Sequence, residues 1–163
     1  MCQDASAIVL ETRIIWCEDD PSHEAAVSAN GLDDTTSHPD FGRVEITPPE
    51  GNYSASPEDW IFKVDQDILP TWWNAKDVEA RVRAELPEWI KRHIVSSNRK
   101  ELTGGRRIIC GDAIVGLVRG NTTVEIIKDN AVVKSVMDNA IVKSVGDNAV
   151  VGYVWGNVVV KSV

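Results

Sequence analysis

From Gly111 onward the apolar positions recur with a period of nine. The successive segments are GDAIVGLVR, GNTTVEIIK, DNAVVKSVM, DNAIVKSVG, DNAVVGYVW and GNVVVKSV. One column is valine throughout: Val115, Val124, Val133, Val142, Val151 and Val160. A second aliphatic column is Val118, Ile127, Val136, Val145, Val154 and Val163, and a third, mostly of small residues, is Ala113, Thr122, Ala131, Ala140, Ala149 and Val158. Each unit opens on Gly or Asp followed by Asp or Asn. These residues accept left-handed backbone angles and make side-chain-to-backbone turn bonds, so a corner falls there in every unit. Short valine-rich segments between such corners read as strands. A fixed short period calls for stacked units, each burying its apolar face against its neighbours.

Two stacks fit the period: a parallel β-solenoid with two nonapeptides per coil, or an antiparallel meander with a turn every nine residues. An odd period would swap the faces of alternate meander strands, yet the same columns stay apolar in every unit, so the solenoid is preferred. Six units make about three coils. Units then stack two apart, which places Asn130 over Asn148 and aligns Asn121, Asn139 and Asn157 in a second ladder. Stacked amides of this kind satisfy one another. Glu125 falls beside Lys143, an attractive pair. The turns carry one Asp each and no Gly-Gly, unlike the calcium-binding nonapeptide solenoids, so no calcium is expected.

Before the repeat the period changes. Residues 8–16 alternate, with Ile8, Leu10, Thr12, Ile14 and Trp16 on one face, and read as one half-buried strand. Residues 18–42 are acidic and turn-rich, a long loop with one helical turn. Arg43–Thr47 is a short strand, and Trp60–Asp65 is another with Trp60, Phe62 and Val64 inward. Asn74 is a good N-cap for a helix whose stripe runs through Val78, Val82, Leu86, Trp89 or Ile90, and His93 or Ile94. Pro87 removes a backbone bond inside that helix, which predicts a kink or two short helices. The expected architecture is a small acidic α+β domain over residues 1–101, its helix packed on the sheet and capping the stack. The all-β parallel β-solenoid (β-helix) then covers 102–163.

Charge divides the chain as the period does. Residues 1–60 hold 13 acidic residues and only Arg13 and Arg43, a local charge of −11 against −8 for the whole chain. Residues 105–163 hold five acidic and seven basic residues. The acidic part repels nucleic acid and suits a basic protein surface. Cys2, Cys17 and Cys110 are odd in number and lack metal spacing, so neither a disulfide framework nor a zinc site is expected. No basic leader and no long apolar run is present, which points to a soluble, cytoplasmic protein with no membrane association.

Candidate chemistry is sparse. Cys17 with His23 and an Asp can be drawn as a catalytic set, and His23 with His38 as a metal pair, but neither has motif spacing. No phosphate loop, nucleophile elbow or zinc-protease motif occurs. The expectation is therefore no enzyme, no catalytic residue, no metal and no cofactor. Interaction candidates are the acidic Asp19, Asp20, Asp33 and Asp34 and the aromatic Trp72, Trp73, Tyr153 and Trp155. An exposed tryptophan is a good interface anchor. The last unit carries no charged strand or helix to block its edge, so Val158, Val160 and Val163 are expected at an edge that pairs a second copy into a C2 dimer, or that a partner covers.

The segment DWIFKVDQDILPTWWNAKDVEARVRAELPEWIKRHIV, followed by GNTTVEIIKDNAVVKSVMDNAIVKSVGDNAVV, resembles a group of bacterial and phage proteins. In these a tryptophan-rich segment and a helix precede GNA-V-type nonapeptide repeats. The resemblance covers roughly residues 59–163, implies an α/β domain followed by a β-solenoid, and carries no catalytic residue. Pentapeptide-repeat proteins that mimic DNA are similar in architecture only. With the acidic N-terminal part, this points to a non-enzymatic interaction module. The form it suggests is a phage or mobile-element inhibitor that competes for the basic nucleic-acid site of a host defence nuclease, of the CRISPR type for example. A self-assembling scaffold without a foreign target is the alternative, and a small enzyme the third.

Overall fold

The computed structural model describes residues 5–33 and 39–163; Cys2, Asp34 and His38 lie outside them. The chain divides into two compact units, 1–89 and 90–163.

The first unit is built on an antiparallel sheet with helices. Its strands are β1 (Ala5–Leu10), β2 (Ile14–Trp16), β3 (Phe41–Thr47) and β4 (Ile61–Val64), in the order β2-β1-β3-β4. The single strand expected over 8–16 is in fact a hairpin. Glu11, Thr12 and Arg13 are exposed, and the Leu10 N–H donates to the Arg13 carbonyl at 2.9 Å. The alternation runs through the turn unbroken, so periodicity alone could not locate it. As the central strand, β1 is buried on both faces.

Cross-strand pairing sets Ala7 against Trp16 and Val44, and Ala5 against Ile46. The small alanines leave room on that face for large rings. Trp16, Trp60 and Trp89 meet there, with centroids 6.1 and 6.3 Å apart along the chain of contacts. Trp89 comes from helix α2 (Ala75–His93), which also buries Val78, Val82 and Leu86. Asn74 caps it as expected: its Oδ1 accepts from the N–H groups of Lys76 and Asp77 at 3.1 and 3.3 Å. The break expected at Pro87 does not occur; α2 is one helix. Pro87 is exposed, so the carbonyl it leaves without an intrahelical donor sits on the side that water reaches. The opposite sheet face carries Ile8 and Phe41, packed against Val27 of helix α1 (His23–Ala29). This helix is the turn expected within residues 18–42. The Ser22 side chain caps it, accepting from the Ala25 N–H.

The second unit is a parallel β-solenoid of about four turns. One sheet stacks β6 (Arg99–Thr103), β8 (Ile114–Arg119), β10 (Val132–Val136) and β12 (Val150–Val154). The other stacks β5 (Ile94–Val95), β7 (Arg106–Ile109), β9 (Thr123–Ile127), β11 (Ile141–Val142) and β13 (Val159–Val160). Alternate nonapeptides feed alternate sheets, and each strand pairs with the unit two away, as Val133 with Val115 and Val151. The stack begins before the nonapeptide pattern does. Ile94 faces Ile108 and Leu102 faces Val118, both shorter steps than the 18 residues between later stacked positions. The division between 101 and 102 expected from the sequence therefore falls between β6 residues, inside the stack.

The core is the three apolar columns. Ala113, Val115, Val118, Val124, Ile127, Ala131, Val133, Val136, Ala140 and Val142 are buried in one cluster. Thr122 takes the small-residue position with a hydroxyl and stays fully buried. Its Oγ1 donates to the Arg119 carbonyl at 2.5 Å and accepts from the Gly104 N–H at 2.7 Å, so burial strands no polar atom.

All six unit-opening residues have positive φ: Gly111, Gly120, Asp129, Asp138, Asp147 and Gly156. The aspartates tolerate this partly because their carboxylates bond the neighbouring coil. Asp129 accepts from the Gly111 N–H at 2.8 Å, Asp138 from Gly120 at 3.1 Å and Asp147 from Asp129 at 3.1 Å. Beside them run the amide ladders. Asn130 donates to Asp112 at 3.0 Å, Asn148 to Asn130 at 3.3 Å and Asn157 to Asn139 at 3.3 Å. Lys143 and Glu125 pair at 2.9 Å.

Candidate functional site

Three groups of residues stand out, one on the solenoid and two on the first unit. On the solenoid, β12 and β13 are the outermost strands of their sheets. Their inward sides are bonded: Val150 N–H to the Ala131 carbonyl at 2.9 Å and Lys161 N–H to the Val142 carbonyl at 3.0 Å. The outer side of an edge strand offers a row of backbone donors and acceptors. Apolar side chains accompany that row. Tyr153 is 75% exposed, Trp155 56%, Val160 39% and Val163 96%, with Val150, Val154 and Val159 also exposed. Val158 is half-buried. The columns that are buried at Val133 and Val136 thus emerge here as surface.

The acidic candidates lie on the first unit. Asp19, Asp20 and Asp33 are exposed; Asp34 lies outside the described residues. Asp20 Oδ1 accepts from the Ser22 N–H at 2.8 Å, holding the entry to α1. Asp19 and Asp20 border a cleft of about 230 Å³ with Cys17 and the α1 residues Ala25 and Ala29. Trp72 and Trp73 are both half-buried rather than one being free. Their rings lie 5.7 Å apart, and Trp73 covers Gly42, where a Cβ would collide with the ring. This places Trp73 in packing rather than at an open anchor.

The third group was not expected from sequence. His23 opens α1, Glu45 lies in β3 and Asp65 follows β4; their ligand-type atoms all lie within 4.8 Å of one another. His23 and Glu45 are buried, while the Asp65 side chain is 40% exposed. His23 Nε2 is 3.0 Å from the Val44 carbonyl oxygen, and its Nδ1 is 3.6 Å from Asp65 Oδ2. Lys63 sits outside the two carboxylates, 3.4 Å from Asp65 and 3.9 Å from Glu45. The residues are about twenty apart in sequence and come from three elements, so no spacing motif announces them. The sequence signal is His23 itself, with Cys17 and an Asp or with His38 as its candidate partners. The structure gives His23 the partners Val44 and Asp65, and His38 is outside the described residues.

Comparison with protein families, with curated proteins and with solved structures gives no match for this chain. Among the described residues no helix is long and apolar enough to cross a membrane.

Proposed function

We propose that this chain is a non-enzymatic protein-interaction module whose terminal solenoid coil is its docking surface and whose acidic unit engages a basic partner. The observation that carries this is the exposed coil: Tyr153, Val159 and Val160 lie in two edge strands and Trp155 follows the first of them. An aromatic anchor beside edge strands favours docking by strand addition. A second copy of the chain is the occupant we favour, because it brings an identical row of donors, acceptors and apolar side chains, as a C2 contact requires.

The acidic part supplies the second contact. Exposed Asp19, Asp20 and Asp33, within a segment of net charge −11, favour a basic surface of the kind that binds nucleic acid. The reading that follows is an inhibitor of phage or mobile-element type that competes for such a site on a host nuclease. The same exposed coil also favours a self-assembling scaffold without a foreign target.

A tagged pull-down from nuclease-treated host lysate separates the two. One stoichiometric partner with a basic nucleic-acid channel supports inhibition, and its capture should fall when Asp19, Asp20 and Asp33 are changed to Asn. Recovery of the bait alone favours the scaffold. Capture that survives neutralisation contradicts the electrostatic part.

A further inference from the structure

We infer that His23, Glu45 and Asp65 form a binding site for one divalent transition-metal ion of the Zn²⁺ class. The ring of His23 is oriented by its back. A carbonyl oxygen can only accept, so the Nε2 atom 3.0 Å from Val44 O carries the ring proton. That leaves Nδ1 as the atom directed at the carboxylates. Metal-ligating histidines are held in this way, with the second ring nitrogen donating to a backbone carbonyl.

The spacing fits an ion. Tetrahedral ligands about 2.1 Å from a zinc ion stand about 3.4 Å apart, and Nδ1 is 3.6 Å from Asp65 Oδ2. A cation placed between Nδ1 and the two carboxylates is attracted by all three. Lys63, 3.4 Å from Asp65 and 3.9 Å from Glu45 with its side chain 64% exposed, is the cation such an ion would displace. One imidazole with two carboxylates suits Zn²⁺, Mn²⁺ or Fe²⁺, whereas Ca²⁺ takes oxygen ligands only.

The site is built and reachable. Glu45 is held on the sheet face that α1 covers, and it borders an open cleft of about 260 Å³ lined with Lys63, Thr47 and Tyr53. Asp65 is fixed by its backbone, whose N–H donates to the Arg43 carbonyl at 2.8 Å. The ion would tie α1, β3 and the end of β4 together.

The test is calorimetric titration of the chelator-stripped full chain with Zn²⁺ alone, with Ca²⁺ titrated in parallel. One Zn²⁺ per chain is expected, and no Ca²⁺ binding. Asp65→Asn and Glu45→Gln should each weaken Zn²⁺ at least about tenfold, and Lys63→Ala should tighten it by removing a competing cation. Circular dichroism checks that each variant is folded; the surface change Asp65→Asn decides the matter should Glu45→Gln fail to fold. Absence of Zn²⁺ binding, or binding that Asp65→Asn leaves unchanged, overturns the assignment.

Discussion

The carboxylate of Asp138 accepts a hydrogen bond at 3.1 Å from the backbone N–H of Gly120, one coil earlier in the stack. Both residues have positive φ, 64° and 67°. The corner therefore uses two properties of aspartate: tolerance of the left-handed region and an acceptor of the right reach.

Asp138→Ala should be the most damaging change at this corner. It adds left-handed strain and loses the bond, at a combined cost of about 1–2 kcal/mol. Asp138→Gly removes the strain but not the loss, and Asp138→Asn retains most of both properties. The expected order of melting temperature is Asn above Gly above Ala. A flat series would show that the corners do not hold the coils together.

Gly152 and Gly146 form a matched pair. A Cβ at Gly152 would lie 2.5 Å from the Lys134 carbonyl oxygen, whereas at Gly146 nothing lies within 4 Å. Gly152→Ala should cost about 1–3 kcal/mol by overpacking backbone, and Gly146→Ala should be neutral within about 1 kcal/mol. Because solenoid coils unfold semi-independently, hydrogen exchange is the better monitor. Gly152→Ala should raise exchange in β12 and β13 before β8 or β9.

Cys110 is fully buried. Burial, with the nearby Asp129 carboxylate adding to it, pushes its thiol up to about 11. The thiolate is the reactive form, so at pH 8 the folded protein should leave Cys110 unalkylated, and reactivity should rise only as pH approaches the shifted value. Peptide mapping after iodoacetamide, with and without urea, checks this. Labelling of Cys110 at pH 8 without denaturant would contradict the packing of the first coils.

How much of this was legible follows from where the physics is local. The ladder Asn130–Asn148 and the pair Glu125–Lys143 are 18 residues apart, so once two nonapeptides make a coil, the contacts follow from the period. The strands β5 and β6 fall outside the nonapeptide pattern because they stack with shorter steps. The hairpin at Leu10–Arg13 was missed because alternation continues through it. The His23, Glu45 and Asp65 cluster depends on sheet register: Glu45 faces Lys63 across β3 and β4, and His23 at the start of α1 then meets Glu45 and Asp65. Register between separate elements is not written in any single stretch of sequence.

The coil of β12 and β13 is proposed to take a second copy of the chain. Sedimentation velocity of the full chain tests it most directly, compared with Val160→Lys, which puts a charge into the exposed edge strand β13. The expected result is a species of about twice the 17.9 kDa chain mass at micromolar concentration, reverting to monomer in the variant with its circular dichroism unchanged. A single monomeric species for both proteins across the concentration range would contradict it.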